Sequence, residues 1–250
     1  MRLDAIFFDL YGTLLIYGDM TAAWSAWLGA LHRWLEDLGL QIERQELAHG
    51  CEGFFSRPEP STVSDGLTLY ERRLQVFASE LGLEATATQL RQAALTTIGA
   101  WQQFVDLDPD AAPVLSQLSQ TRSLALISNF DHPPHVRRVL EETGLARHFQ
   151  AVVVSAEVGI KKPDPEIFAP AIAAIGVSPE RVAYVGDAPE DILAAQGAGM
   201  TPVRLQRDGD TESDKAADFR HATVPRQWTE GVDYLTVSRL SDLPDLIADV

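Results

Sequence analysis

The chain reads as an α/β protein whose parallel sheet carries helices on both faces, with an all-helical segment inserted near its start. Three observations predict this. Ala5-Ile6-Phe7-Phe8 is an apolar run closed by Asp9, the pattern of a short strand buried on both faces. From Met20 to about Phe104 apolar residues recur at helical spacing, with no strand pattern between them. After Pro109 short apolar runs alternate with helical patterns, which implies parallel strands joined by crossover helices.

The first strand is expected over Asp4–Phe8, followed by a turn region from Asp9 to about Gly18. Trp24, Trp27, Leu28, Leu31, Trp34, Leu35 and Leu38 mark a helix that Gly39 stops. A second helix is expected over Glu43–Phe54, and the prolines of Ser56–Ser61 make a loop. A third spans about Ser64–Leu81, with Leu67, Tyr70, Leu74 and Phe77 on one face, and a fourth about Thr86–Gln103. Residues 16–104 are therefore an insertion, and 1–15 with 105–250 form the core. In the core, helices are expected over Ala111–Ser119, Val136–Thr143, Pro165–Ile175, Asp191–Gln196 and Asp242–Ala248. Strands fall at Ser123–Ile127, Ala151–Val154, Arg181–Val185, Pro202–Leu205 and Tyr234–Val237. Residues 206–231 read as a polar, irregular excursion without evident chemistry.

Composition narrows the function. Acidic residues outnumber basic ones 36 to 20, for a formal charge of −16. Affinity for nucleic-acid phosphates or anionic lipid needs clustered Lys and Arg, so both partner classes are disfavoured, while an anionic small-molecule substrate would need local cations or a metal. The single cysteine, Cys51, excludes an intrachain disulfide and suits a reducing compartment. No apolar run approaches the length of a membrane span, and Met1–Asp4 leads into the first strand without a signal-like apolar stretch. A cytoplasmic protein is expected. The oligomeric state stays open, a homodimer among the options.

Four groups of polar residues stand where purely structural strands would not need them. They are Asp9 with Tyr11 and Thr13, Ser128-Asn129, Lys161-Lys162-Pro163-Asp164-Pro165, and Gly186-Asp187 with Asp191. In a parallel sheet, strand ends converge on one crevice. Convergence would assemble a nucleophilic carboxylate, a hydroxyl or amide hydrogen-bonder, a lysine and further carboxylates suited to a hard cation such as Mg²⁺. A carboxylate attacking an anionic phosphoryl group needs such cations, because the two reactants repel. Asp164 reads as the cap of the helix beginning at Pro165. Asp191 reads equally as a helix-start residue or as a metal-site residue. His132 and His135 flank Pro133-Pro134 after Asn129 and read as turn-surface groups rather than catalytic ones.

The constellation resembles the haloacid dehalogenase superfamily. Asp9-Leu10-Tyr11-Gly12-Thr13 matches its nucleophile motif, Ser128 its second, Lys162-Pro163-Asp164-Pro165 its third, and Gly186-Asp187 with Asp191 and Ala198-Gly199-Met200 its fourth. The resemblance implies a Rossmann-like core and a helical cap that closes on substrate. It further implies a Mg²⁺-dependent phosphatase acting through an aspartyl-phosphate. Asp9, Tyr11, Ser128 and Lys162 would be catalytic, Ser128, Asn129 and Lys162 would contact substrate, and Asp9, the Tyr11 carbonyl, Asp187 and Asp191 would hold the metal. One position departs from the phosphatase pattern. Family phosphatases usually place Asp where this chain has Tyr11; tyrosine there is typical of the metal-independent 2-haloacid dehalogenases. The alternatives are therefore that dehalogenase chemistry, or a catalytically weak binding protein. The crowding of Asp9, Asp187 and Asp191 favours the metal-bound phosphatase.

Overall fold

The computed structural model describes residues 3–61, 65–207 and 231–248. Two compact units are present: Tyr17–Val105 form one, and the residues on either side of that segment form the other. In the first stretch of chain come β1 (Ala5–Phe8) and β2 (Leu15–Tyr17), then the helices α1 (Met20–Asp37), α2 (Arg44–Gly50), α3 (Leu69–Glu80) and α4 (Ala87–Gln102). Thereafter β3 (Val105–Leu107), α5 (Ala111–Leu118), β4 (Ser123–Ser128), α6 (Pro133–Glu142), β5 (Ala151–Val154), α7 (Ser155–Val158) and α8 (Ala169–Ile175) follow. The chain continues through β6 (Val182–Gly186), α9 (Pro189–Gly197), β7 (Thr201–Leu205), β8 (Leu235–Val237) and α10 (Leu243–Ala248).

Six strands form one sheet in the order β5-β4-β1-β6-β7-β8, every neighbouring pair parallel. The α/β core predicted from the strand–helix alternation is thus present. The apolar β1 is central because each of its residues is buried on both faces. Ala5 and Phe7 pack with Ala125, Ile127, Phe168, Ala171, Ala194 and Ala195 in one layer of the core. Ile6 and Phe8 point the other way and are equally buried. The register Phe8↔Leu126 and Phe8↔Val185 sets the carboxyl ends of β4, β1 and β6 side by side.

In the helical unit, α3 starts at Leu69, later than the apolar periodicity predicts, because Thr68 and Glu71 close a capping box there. Ser64, the predicted start, lies outside the described residues. Thr86 and Gln89 do the same for α4. The predicted second helix ends early: α2 stops at Gly50, and Gly53 in the left-handed region turns the chain into a separate 3₁₀ turn at Phe54–Ser56. Trp27 and Trp34 of the tryptophan stripe are buried in the core, as its spacing implies, while Trp24 is half-buried and stacks on Trp27. Trp27 Nε1 donates to Tyr70 Oη at 2.7 Å, and Tyr70 Oη lies 2.8 Å from Thr97 Oγ1, which donates to the Ala93 carbonyl. Among the described residues no helix is long and apolar enough to cross a membrane.

Candidate active site

Asp9 follows β1, and its amide donates to the Val185 carbonyl at 2.9 Å, continuing the ladder one residue past the strand. Ser128 ends β4, and Gly186 ends β6 with Asp187 next, so three of the four predicted groups do meet at adjacent strand ends. The fourth arrives differently. Lys162 is not at the end of β5 but beyond α7, in the loop that leads to a 3₁₀ turn at Pro165–Phe168. Its long side chain covers the remaining distance, and its backbone is pinned by Asn129. The Asn129 amide donates to the Lys162 carbonyl and accepts from the Lys162 N–H, both at 3.0 Å. The polar ends of Asn129 are therefore occupied in positioning Lys162.

The Lys162 ammonium is nearly water-free and lies 2.6 Å from both Asp9 Oδ1 and Asp191 Oδ1. It also donates to Tyr184 Oη at 2.8 Å and to the Ile127 carbonyl at 3.2 Å. Burial by itself would lower its pKa, but the carboxylates of Asp191 and Asp9 outweigh that and move it upward, so the lysine stays charged. Asp9 is pushed up to about 7, chiefly by burial and then by the charges of Asp191 and Asp187, against the pull of Lys162. Tyr184 went unnoticed in the sequence as one more apolar-strand residue. Its ring packs edge-on to Phe168, while its hydroxyl reaches Lys162 and also the Ile127 carbonyl. A wholly buried tyrosine in a strand needs a partner for its hydroxyl, and that need was the available signal.

Ligand oxygens of Asp9, Asp187 and Asp191 lie within 4.8 Å of one another, all buried. Two glycines shape this cluster. A Cβ on Gly12 would stand 2.5 Å from both Asp187 carboxylate oxygens, and one on Gly186 would stand 2.4 Å from Asp191. Gly12 also adopts φ +89°, which L side chains rarely adopt. Both oxygens of Asp191 are engaged: Oδ1 meets Lys162 and Tyr184, and Oδ2 accepts from Ala188 N–H at 2.9 Å at the start of α9. The contact with Ala188 N–H is the helix-start role that the sequence suggests for Asp191, and the one with Lys162 ties it to Asp9.

Tyr11 is buried, its ring stacked on Phe130 at 5.1 Å and 18°. Phe130 in turn stacks on His135 at 5.5 Å. The two histidines are not surface groups. His132 and His135 are both buried, because Pro133 and Pro134 start α6 at once and turn both rings inward. Burial, then Arg138 and His132, push the His135 imidazole down to about 3. It is therefore neutral at physiological pH and accepts from Arg138 at 3.0 Å, which leaves it a poor base. Asp164 caps its turn as predicted, accepting from Glu166 N–H at 3.0 Å. Most of the 206–231 excursion lies outside the described residues, but Arg207 does not. Its guanidinium reaches the Gly12 and Thr13 carbonyls at 2.6 and 2.7 Å, a role invisible in the sequence.

Known proteins resemble this chain in sequence and fold. Residues 3–199 match the family model described as haloacid dehalogenase-like hydrolase. The glyceraldehyde 3-phosphate phosphatase of Methanopyrus kandleri is 37% identical over 82% of this chain and 84% of its own. The phosphoserine phosphatase of Thermus thermophilus is 43% identical, over 40% of this chain and 41% of its own length. Among solved structures, a HAD phosphatase from Thermococcus onnurineus superposes with a TM-score of 0.64 at 23% identity, covering 99% of this chain and 98% of that one. A family model that runs from before β1 to the end of α9, together with relatives aligned across both units, places this chain in the haloacid dehalogenase-like hydrolases.

Proposed function

We propose that the protein is a Mg²⁺-dependent phosphatase of a small phosphorylated metabolite. Asp9 is its nucleophile and an aspartyl-phosphate its intermediate. The observation that carries this reading is the charge imbalance of the buried cluster. Among the described residues, the three carboxylates of Asp9, Asp187 and Asp191 are clustered and buried, and the Lys162 ammonium pairs with two of them, Asp9 and Asp191. A hard divalent cation suits this all-oxygen donor set, and the close approach of Gly12 to Asp187 leaves the carboxylate no Cβ to crowd it. Asp9, Asp187 and the Tyr11 carbonyl would hold the ion, with Asp191 bracing Lys162 beside them. When bound, Mg²⁺ offsets the negative charge shared by the phosphoryl group and Asp9.

The chain's own groups do the rest. Lys162, fixed by Asn129 and Tyr184, orients one Asp9 oxygen and leaves the other for attack on phosphorus. Ser128, buried at the neighbouring strand end, supplies a hydroxyl to a phosphoryl oxygen. Transfer to Asp9 breaks the bond between phosphorus and the leaving oxygen, which must take up a proton. Tyr11, whose ordinary pKa is near 10, can give that proton but is a weak base for the water of the second step. Accumulation of the aspartyl-phosphate follows. The helical unit, residues 16–104, is assigned to substrate selection as a cap, with 1–15 and 105–250 as the catalytic core. The phosphatases among its relatives act on small phosphorylated metabolites by their names, which supports that substrate class.

Tyr11 favours a second reading, a metal-independent dehalogenase of a short 2-halo acid, because halide leaves without a proton. One pair of assays separates them. Hydrolysis of p-nitrophenyl phosphate that requires Mg²⁺, with no chloride released from 2-chloropropionate, is the expected result. Chloride release alone would overturn it. Silence in both, from folded protein, would leave a binding protein.

A further inference from the structure

We infer that Arg207 is a positioning residue for this site, holding the loop that follows the nucleophile in the shape the metal and Asp9 require. The inference rests on the phosphatase reading above. Leu10 to Leu15 form a tight turn. The Leu10 carbonyl accepts from Leu14 and Leu15 N–H at 2.9 Å, and Gly12 N–H returns to the Leu15 carbonyl at 2.8 Å. Those bonds leave the carbonyls of Gly12 and Thr13 to be satisfied from elsewhere, and Arg207 satisfies both. One nitrogen of its guanidinium donates to Gly12 at 2.6 Å, the other to Thr13 at 2.7 Å. The second nitrogen also pairs with Asp108 Oδ2 at 2.5 Å.

Asp108 is itself fixed. It is buried, its Oδ1 accepts from Asp110 N–H at 2.8 Å, and its own N–H donates to the Leu14 carbonyl at 3.0 Å. Arg207 and Asp108 therefore grip three successive loop carbonyls, those of Gly12, Thr13 and Leu14. The grip matters because Gly12 has almost no freedom relative to the carboxylate cluster. A Cβ there would already overlap Asp187 at 2.5 Å, so small displacements of this residue change the space around Asp187 and carry the adjoining Tyr11 carbonyl with them. A planar guanidinium can span two carbonyls and a carboxylate at once, whereas an ammonium is a single point charge. Arginine, rather than basicity alone, is what this position uses.

Three variants test the inference: Arg207→Lys, Arg207→Gln and Asp108→Asn. Each is assayed with p-nitrophenyl phosphate across a Mg²⁺ titration, and metal-free protein is examined by amide hydrogen exchange. Both Arg207 variants are expected to lower kcat, and to raise the Mg²⁺ concentration for half-activation, by about 10- to 100-fold, the usual cost of removing an outer support of a metal site. The KM for p-nitrophenyl phosphate should stay within about twofold, since Arg207 touches no substrate. Exchange at residues 10–15 should quicken by at least about tenfold while β1, β4 and β6 stay protected. Asp108→Asn should show a smaller change of the same kind, and it serves where Arg207→Gln fails to fold. Unaltered exchange at residues 10–15 overturns the inference. So does exchange raised uniformly across the core, or an unchanged kcat in a protein that is active before mutation. If the unaltered chain hydrolyses no phosphate ester, the phosphatase reading fails. The exchange experiment then decides the clamp alone.

Discussion

Replacing Tyr11 with aspartate would restore the one group that the phosphatase reading lacks. Positioned general acid–base groups contribute about 10²- to 10⁴-fold, so Tyr11→Asp should speed the steady-state hydrolysis of p-nitrophenyl phosphate by about 10²-fold or more. Rapid-quench measurements should show the burst of enzyme-bound phosphate disappear in the same variant. A folded Tyr11→Asp protein that turns over no faster would remove the second step as the limit. The aromatic stack of Tyr11 on Phe130 is lost in that variant, so its fold needs checking by circular dichroism. Tyr184 invites a different change. Its hydroxyl links Lys162, Asp191 and the Ile127 carbonyl. Tyr184→Phe removes that link while keeping the ring against Phe168, and should cost about 1 kcal/mol of stability in urea unfolding. Lys162 would retain Asp9 and Asp191, so activity should fall far less than in Lys162→Ala.

Among the elements, α6 sets a pH dependence. His135 has its folded pKa pushed down to about 3, first by burial and then by Arg138 and His132, against an ordinary 6.5. Below pH 6.5 the unfolded chain binds a proton there that the folded chain refuses. The stability that neutral His135 allows is therefore complete above 6.5 and is lost as pH falls toward 3, with a slope of about 1.4 kcal/mol per pH unit. Between pH 7 and pH 5, urea unfolding of the natural chain should lose about 2 kcal/mol more than that of His135→Gln. Equal losses would show that the ring is protonated when folded. The same helix shows where sequence reading stops. The alternation of strands and helices was legible because periodicity is local, and Asp9, Ser128 and Asp187 were legible because a strand end is marked by its own residues. The inward turn of His132 and His135 was not, since two prolines at a helix start are also good turn residues. Nor were Tyr184, Asn129 as the holder of Lys162, or Arg207. Each acts through a partner distant in the chain, from 22 residues for the Lys162–Tyr184 contact to 195 for Arg207–Gly12. Short β2 and β3 escape for a different reason, as three-residue strands carry too little pattern to stand out.

At the scale of the whole molecule, a formal charge of −16 and, on the phosphatase reading, the buried carboxylate cluster would both respond to cations, and the two responses must be told apart. General self-repulsion of an acidic protein is relieved by any salt, through screening with a Debye length near 10 Å at about 0.1 M. A built site is relieved only by an ion that fits it. A ligand bound to the folded state alone adds RT ln(1 + [L]/Kd), about 2.7 kcal/mol when Mg²⁺ stands at a hundredfold excess over Kd. In a chain of this size that is a rise of about 5–10 °C in Tm. MgCl₂ should therefore raise Tm by this amount above NaCl of matched ionic strength, and EDTA should reverse it. Because the chain holds two compact units, calorimetry is the fitting measurement: where the units melt apart, only the transition of the unit carrying Asp9, Asp187 and Asp191 should move. Asp187→Asn should keep the NaCl response and lose the Mg²⁺ increment. It relieves like-charge repulsion in the cluster, so its Tm without Mg²⁺ should equal or exceed that of the natural chain. A Mg²⁺ increment that survives this substitution in full would move the ion away from the carboxylates at the ends of β1 and β6.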